Sequence, residues 1–585
     1  MILQLLVANN VSLGWLHNLH SFDIMKKAKD FINFCAVAKR RKGAFMKIGE
    51  KITFLREEKG LSQDALGEKL SVSRQSISKW ELGQALPQIN KILEICNLFN
   101  VSADALLRDD VVIGKKKKNP IANIEGKNKY FGTDGFRGEA NVDLTADHAF
   151  RIGRFLGWYF SSPLSGCQVH NYRPRVVIGK DTRRSSYMLE YAVAAGLAAS
   201  GADAHLLHVT TTPSVSYVTR TDEFDCGVMI TASHNPFHDN GIKVINRDGE
   251  KLDDATAQLI EAYIDADYKK LGLDGDIPYA TGEKLGCVVD YVAGRNRYIG
   301  YLISVASRSY RNLKIGLDTA NGASWMMAKS VFEALGAQVY ITGANPDGLN
   351  INRGCGSTHI ENLSEMVKRE HLDVGFAFDG DADRCLAVDS DGNIVDGDGI
   401  LYILGLRLKE RGILENNTIV TTIMSNTGLY RALDEVGINY CATKVGDRFV
   451  YECIKDCGYS LGGEQSGHII IKKYATTGDG ILTAIMICEE ICDRKLPLSA
   501  LVKPVALFPQ KMKSVRVFDK AAVMNDKDVI EAKKRVEEKI GKDGRVLLRE
   551  SGTEPVIRVM VEAKTEALCD EYIEEIASVI VGKGI

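Results

Sequence analysis

The first sustained alternation of apolar and polar positions begins at Lys47. Between residues 47 and 59, Ile48, Ile52 and Leu55 recur at helical spacing and share one face. Gly60 ends that helix as a glycine beyond the last turn does. Ser62 is placed to cap the next helix, with Asp64 near its positive end, and Ala65, Leu66 and Leu70 face inward. A third helix starts at Ser73, where Ile77 and Trp80 point inward. Arg74, Gln75, Ser78 and Lys79 make its opposite, polar face. Two more helices are predicted at 88–99 and 102–107.

From residue 128 the rhythm changes. Strands alternate with helices, and the same plan is run three times. The first segment has strands at 175–179 and 204–208 around a helix at 186–200; Val228-Met-Ile then leads to Ser233. The second has strands at 313–318 and 338–341 around a helix at 324–335, and the apolar run 374–378 leads to Asp379. The third has strands at 418–424 and 440–445, and Ser460-Leu461 leads to Gly462-Gly-Glu-Gln-Ser-Gly-His468. Loops that follow strand ends in such sheets are where ligands bind.

At 585 residues the chain exceeds one core, so several domains are expected. The formal net charge is −2, which excludes a polycation built to coat nucleic acid; any DNA contact must come from a local patch. Residues 46–118 carry 13 Lys/Arg against 10 Asp/Glu, a weakly basic stretch. The 13 cysteines form no dense framework, and Cys453/Cys457 and Cys488/Cys492 have helical-face spacing; buried free thiols in a reducing cytoplasm fit better than a metal site. No apolar run nears the ~20 residues needed to span a bilayer, so no membrane partner is expected. Residues 1–45 lack strong periodicity and are expected to be a dispensable extension, with Met25 or Met46 as the working start. Lys115-Lys-Lys-Lys118 opens a linker at 110–127.

Asp379-Gly-Asp-Ala-Asp-Arg384 is the clearest chemical signal. In an extended loop alternate residues share a face, which groups Asp379, Asp381 and Asp383 as three hard oxygen ligands for one divalent ion. Mg²⁺ suits few carboxylates plus phosphate oxygens, and no EF-hand glutamate follows, since the twelfth loop position is Ser390. Ser233, just past a strand end with His234 beside it and Lys243 ten residues on, has the setting of a phosphoryl acceptor. Arg549-Glu-Ser-Gly-Thr-Glu-Pro555 with Arg558 joins guanidinium groups, hydroxyls and a turn glycine, the makings of a phosphate nest.

Met229-Ile-Thr-Ala-Ser-His-Asn-Pro-Phe followed by Asp239-Asn-Gly-Ile-Lys243 resembles the phosphoserine loop of the phosphohexomutase superfamily, in its phosphoglucosamine mutase branch. The resemblance runs from Lys129 to Glu562. It implies three α/β domains with mixed sheets at 128–287, 288–395 and 396–503, and a C-terminal α+β domain at 504–585. It also implies a phosphoserine at Ser233, which completes the Mg²⁺ shell of the three aspartates, with Arg384 beside the phosphate. By the resemblance Glu464 and Ser466 are expected to bind sugar hydroxyls, and His468 matches a residue near the reacting oxygens. The matching loop in relatives grips the distal phosphate, which implies that role for Arg549, Ser551, Gly552, Thr553 and Arg558. By the same resemblance Arg137 is a candidate to lower the pKa of a base or bind the phosphoserine, and His234 is expected to join the catalytic group. Lys243 and His468 are the acid/base candidates. The expected reaction interconverts glucosamine 6-phosphate and glucosamine 1-phosphate through glucosamine 1,6-bisphosphate; mannose or glucose enzymes of the same mechanism, and a sugar-phosphate-sensing regulator, are the alternatives. A homodimer stays open.

Leu61-Ser-Gln-Asp-Ala-Leu-Gly through Ser78-Lys-Trp-Glu81 resembles the Cro-like repressor family. That implies an all-α helix-turn-helix domain at 46–109 that binds DNA, with Gln63 on the backbone and Arg74, Gln75, Ser78 and Lys79 reaching bases or phosphates.

Overall fold

The computed structural model describes residues 47–59, 61–99, 106–107, 128–132, 134–165, 172–551 and 555–583. The expectations for residues 1–45, for most of the helix at 102–107 and for the linker at 110–127 lie outside them. The chain forms two compact units that divide after Asn123.

In the first unit, helices α1 (Ile48–Glu58), α2 (Gln63–Lys69), α3 (Arg74–Glu81) and α4 (Ile89–Phe99) surround Ile52, Leu66, Leu70, Ile77, Trp80 and Ile95. The expected cap is present, Ser62 Oγ accepting from the Ala65 N–H at 3.1 Å, and Ser73, expected as the first residue of the third helix, caps it instead, its Oγ accepting from the Ser76 N–H at 3.2 Å. The α2–α3 turn passes through Ser71 in the left-handed region, φ 51°. Glu81 ties three helices together, accepting from Arg56 Nε at 2.5 Å and from Gln63 Nε2 at 2.8 Å. A Cβ on Gly49 would lie 2.5 Å from the Trp80 carbonyl oxygen, so only glycine lets α1 approach α3 this closely.

The second unit is built on three mixed sheets. The first holds β1 (Phe131–Gly132), β2 (Gly135–Glu139), β3 (Arg175–Lys180), β4 (Asp203–Val209), β5 (Cys226–Ile230), β6 (Asp239–Asn246) and β7 (Val288–Asp290), in the order β1-β2-β6-β5-β3-β4-β7. The second holds β8 (Lys314–Asp318), β9 (Gln338–Thr342), β10 (Val374–Phe378), β11 (Cys385–Asp389) and β12 (Ile394–Val395), in the order β12-β11-β10-β8-β9. The third holds β13 (Thr418–Thr422), β14 (Asn439–Thr443), β15 (Leu461–Gly463) and β16 (Ile469–Ile471), in the order β14-β13-β15-β16.

One pattern recurs in all three. A first strand pairs in parallel with the second on one side and the third on the other, and a fourth returns antiparallel to the third. The third strands carry the apolar runs; β5 and β10 are buried throughout, as strands covered by helices on both faces must be. Ser233, the aspartate loop and the 464–468 loop each fill the turn between a third and a fourth strand.

An antiparallel sheet closes the chain: β17 (Gln510–Arg516), β18 (Arg545–Glu550) and β19 (Val556–Glu562), in the order β17-β19-β18. Helices Lys527–Ile540 and Glu566–Lys583 supply the rest of its core. Most boundaries shift by one or two residues from their predictions, such as the strand expected at 418–424, which ends at Thr422, and one differs more. The helix expected from Ser324 starts at Met327, because Ala320 and Asn321 turn through the left-handed region at φ 55° and 48°. That turn brings Gly322 so close to the aspartate loop that a Cβ would lie 2.4 Å from the Gly380 carbonyl oxygen. Among the described residues no helix is long and apolar enough to cross a membrane.

Candidate active site

β5 delivers the chain to Ser233 fully buried, and Ser233 itself takes φ 52°, a conformation costly for a residue with a Cβ. Its surroundings hold it there. The Ser233 N–H donates to Thr231 Oγ1 at 2.9 Å. Its carbonyl accepts from Arg183 Nη2 at 3.0 Å and from Asn352 Nδ2 at 2.8 Å. Arg183 is wholly buried, paired with Asp181 at 2.8 Å, and also donates to the carbonyls of Asn235 and Asp239 at 2.8 and 3.1 Å. One buried guanidinium therefore shapes the entire turn. The strain leaves Ser233 Oγ aimed at Asp379, to which it donates at 2.5 Å.

Asp379, Asp381 and Asp383 are buried and offer carboxylate oxygens within 4.8 Å of one another. Gly380 permits this, since a Cβ there would meet the Ser233 carbonyl oxygen at 2.5 Å. Lys243, on β6 opposite Met229, projects its ammonium among Asp381, Asp134 and Asp383 at 2.9, 3.1 and 3.2 Å. Burial alone would lower the Lys243 pKa, but Asp134, Asp381 and Asp383 carry it well above the usual lysine range. Burial likewise pushes Asp383 up, yet Lys243 and then His468 hold it well below the carboxylate range. Asp379 goes the other way: burial, then Asp383 and Asp381, push it well up.

The residues fit a divalent ion. Lys243 uses the Oδ2 atoms of Asp381 and Asp383, while their Oδ1 atoms are buried without a hydrogen-bond partner. Two orphaned carboxylate oxygens beside a third carboxylate and a serine hydroxyl form a hard donor set suited to Mg²⁺.

Cations ring this cluster. Arg137 donates to Asp134, and its other end lies 3.5 Å from Asn235 Oδ1. The Arg384 N–H donates to Asp379 Oδ1 at 3.2 Å, while its buried Nε has no hydrogen-bond partner. His234 lies 3.3 Å from Ser233 Oγ through Nδ1. Burial, then Arg384 and Arg137, lower its pKa to about 4, so its ring is neutral in the physiological range.

The 464–468 loop is stitched to the aspartate loop: the Cys385 N–H donates to the Gly467 carbonyl at 3.0 Å. Glu464 Oε1 accepts from the Gly446 N–H at 2.9 Å, and Ser466 is half-buried in the same turn. His468 is buried, with Nδ1 3.8 Å from Asp383 and Nε2 3.5 Å from Asp447. Burial opposes a proton on its ring, while Asp383 and Asp447 outweigh that and raise its pKa. The Gly478 N–H, however, donates to Nε2 at 2.9 Å and needs a lone pair there. That bond selects the neutral tautomer with its proton on Nδ1, facing Asp383. The two acid/base candidates thus differ in setting: Lys243 places its ammonium among three carboxylates, while the His468 Nδ1 stands 3.8 Å from Asp383.

Arg549 on β18 stands directly opposite Arg558 on β19. Burial, then Arg558, lower the Arg549 pKa. Like charges facing each other across paired strands are unfavourable unless an anion joins them. Ser551 is buried, with its carbonyl accepting from Lys520 Nζ at 2.8 Å. Gly552 and Thr553 lie outside the described residues. In the helical unit Arg74, Gln75 and Lys79 are exposed on α3 and Ser78 is half-buried; Gln63 is held by Glu81, and Arg74 lies 3.7 Å from Asp64.

Asp134, Thr212, Arg183, Asn352 and Asp447 were not singled out from sequence. Asp134 lies three residues before Arg137, whereas Asp447 stands at the start of its own helix, so only Asp134 had a singled-out neighbour in sequence. Thr212 donates its hydroxyl to Asp381, and its N–H to the Asp381 carbonyl at 3.1 Å, across 169 residues of chain.

The His234 environment has a measurable consequence. Its imidazole resonances should not titrate between pH 5.5 and 8 in NMR spectra, with His234→Gln giving the assignment. Because the unfolded side chain protonates near ~6.5, the folded state binds fewer protons between that value and 4, and stability falls as pH drops through this window. A mid-range titration of His234 would contradict the arrangement.

Four family models match the second unit in order. Phosphoglucomutase/phosphomannomutase alpha/beta/alpha domain I covers residues 128–270, domain II 296–392, domain III 396–508 and the C-terminal domain 512–579. A helix-turn-helix model covers 52–106. A phosphoglucosamine mutase of Lachnospira eligens is 59% identical over 456 residues, which is 78% of this chain and 99% of that protein. One from Bacillus subtilis is 47% identical over 452 residues, 77% of this chain and 98% of its own. Among solved structures, a phosphoglucomutase/phosphomannomutase family protein of Burkholderia thailandensis aligns with TM-score 0.63 at 23% identity, covering 78% of this chain and 98% of that one. An Aspergillus fumigatus N-acetylphosphoglucosamine mutase aligns at 0.56 and 17%, covering 80% and 98%; both likenesses are of fold. With 59% identity spanning nearly a whole relative, and all four domain models in order, the chain belongs to the phosphoglucosamine mutase family, isomerases, and carries a helix-turn-helix region ahead of the family's four-domain body.

Proposed function

We propose that the protein interconverts glucosamine 6-phosphate and glucosamine 1-phosphate, with Ser233 as the phosphoryl carrier. The carrying observation is the strained Ser233, whose Oγ is 2.5 Å from Asp379 at the edge of the buried aspartate cluster. In the first half-reaction O1 of the 6-phosphate attacks phosphorus on phospho-Ser233. The O1–P bond forms, the Oγ–P bond breaks, and glucosamine 1,6-bisphosphate results. After the bisphosphate turns over, Ser233 Oγ attacks the 6-phosphoryl group and releases the 1-phosphate.

Each half-reaction removes one proton from the attacking hydroxyl and returns one to the departing oxygen. Lys243, charged and enclosed by carboxylates, suits the donor role. Asp379, Asp381 and Asp383, with the seryl oxygen, would hold Mg²⁺, which supplies charge neutralisation on the transferring group. Arg384 and Arg137 add fixed positive charge beside Ser233. Glu464 and Ser466 are proposed to bind sugar hydroxyls, and Arg549, Ser551 and Arg558, with Gly552 and Thr553, the phosphate that does not react. The facing guanidiniums of Arg549 and Arg558 support a site for either phosphate of a turning bisphosphate.

The helix-turn-helix region is proposed to bind DNA through Arg74, Gln75, Ser78 and Lys79. The exposed polar face of α3, with Ile77 and Trp80 buried behind it, favours this reading. Gln63 reaches a backbone phosphate on release from Glu81.

Steady-state assays on glucosamine, glucose and mannose 6-phosphates with Mg²⁺ and trace bisphosphate should show clear preference for the amino sugar. Ser233→Ala and chelation by EDTA should each abolish turnover, and Mg²⁺ should restore the chelated sample. Equal rates on all three sugars would contradict the substrate assignment. Fluorescence anisotropy against genomic DNA fragments should show binding that weakens steeply from 50 to 200 mM salt, as phosphate contacts release counterions. Arg74→Ala/Lys79→Ala should lose it; no bound fragment at low salt would contradict the DNA assignment.

A further inference from the structure

The third sheet carries a thiol pair that phosphoryl transfer does not use. Cys441 on edge strand β14 and Cys453 on helix Asp447–Cys457 bring their Sγ atoms to 3.4 Å. Both are half-buried, and Cys457, one turn further on, is exposed. Burial, then Cys441, push the Cys453 thiol up to about 12, which suits it to the second, resolving position rather than to the attacking thiolate. Cys441, Cys453 and Cys457 do not close into a metal cage: among the described residues the aspartate triad is the one group of three ligating side chains that converges within 4.8 Å.

The helix that bears Cys453 is a strut between two domains and touches the sugar loop. At its N-terminus the Gly446 N–H donates to Glu464 Oε1 at 2.9 Å, and Asp447 pairs with Lys251 at 2.5 Å and faces His468. Along its length Arg448 reaches Asp254 at 2.5 Å, and Tyr451 and Lys455 each hold Glu250 at 2.7 Å. An S–S bond is about 2.05 Å long, so the two sulfurs, 3.4 Å apart, have to close by roughly 1 Å or more, through side-chain rotation together with movement of the helix relative to β14. Cys453 lies seven residues from Gly446, about 10 Å along a rigid helix. Any movement of the helix at Cys453 is therefore carried to the backbone N–H that holds Glu464.

We infer that Cys441 and Cys453 form a reversible dithiol–disulfide site that loosens the grip of helix Asp447–Cys457 on the Glu464 loop. A hydroperoxide is the oxidant. The Cys441 sulfur attacks an oxygen of hydrogen peroxide as the thiolate: an S–O bond forms, the O–O bond breaks, and the departing oxygen leaves as water. The second thiol then displaces the sulfur-bound hydroxyl as a second water and forms the S–S bond. Two thiols are oxidised by two electrons, and peroxide is reduced to two waters. A small-molecule dithiol reverses the step by exchange.

The effect on substrate rests on the mutase function proposed above; formation of the disulfide does not. Purified full-length protein is treated with hydrogen peroxide, and cross-linked peptides are mapped by mass spectrometry before and after dithiothreitol. Mutase kinetics are followed on the same samples. The expected result is a Cys441–Cys453 cross-linked peptide, two mass units lighter than the two thiol peptides together. With it, KM for the sugar phosphate should rise about threefold or more, kcat should change less, and both should reverse with dithiothreitol. Cys441→Ser and Cys453→Ser should each keep the untreated KM and resist peroxide; either suffices if the other fails to fold. No 441–453 peptide, or that peptide with KM unchanged, overturns the proposal. A chain without mutase turnover before oxidation refutes the function instead, while the peptide map still decides whether the thiols join.

Discussion

Three buried carboxylates on alternate residues of one loop set the terms for everything around them. With carboxylate oxygens within 4.8 Å of one another, two ionised members repel by roughly 3 kcal/mol or more at an effective dielectric of about 20. That repulsion has to be offset, and the chain offsets it from several directions. Lys243 comes from β6, Arg137 from β2, Arg384 from the aspartate loop itself, and Lys251 joins Lys243 on Asp134. The balance is incomplete by design of the geometry: Asp379 is pushed up by burial and its neighbours, and the Oδ1 atoms of Asp381 and Asp383 have no hydrogen-bond partner. The space left for positive charge lies beside Ser233 Oγ, where a phosphoryl group would bring further negative charge.

The fold answers this demand with repetition. Each of the three sheets puts its working loop in the same place, between a buried third strand and an antiparallel fourth. Three equivalent turns from three domains can then meet, which one domain could not arrange from a single strand end. Close glycine contacts join them: Gly380 lies under the Ser233 carbonyl and Gly467 under the Cys385 carbonyl. A side chain at either position would separate the serine, aspartate and glutamate loops.

Much of this is legible in the sequence because the chemistry is concentrated in short runs. Ser233 with its flanking turn, the three aspartates and the 463–468 loop are contiguous, and the helical caps at Ser62 and Ser73 follow local rules. What is not legible is assembled across long chain separations. Thr212 meets Asp381, Asn352 meets Ser233 and Asp447 meets Lys251 only after the domains pack. Arg183 looks like a surface residue in a polar run, yet it is wholly buried and holds the serine turn. The helix expected from Ser324 is shortened by a turn whose purpose is to press Gly322 against Gly380, a contact no local pattern encodes. His468 illustrates a subtler limit. Its position near the cluster follows from its motif, but its tautomer is set by the Gly478 N–H, ten residues away.

The central claim is that the Ser233 oxygen carries the phosphoryl group that the sugar exchanges. The most direct measurement is a single-turnover experiment with the full-length chain. Ser233 is charged with ³²P, mixed with unlabelled glucosamine 6-phosphate, and quenched on the millisecond scale. The account predicts that label leaves Ser233, appears first in the bisphosphate, and then in glucosamine monophosphate, at rates matching turnover. Label that remains on Ser233 while unlabelled product accumulates would contradict it.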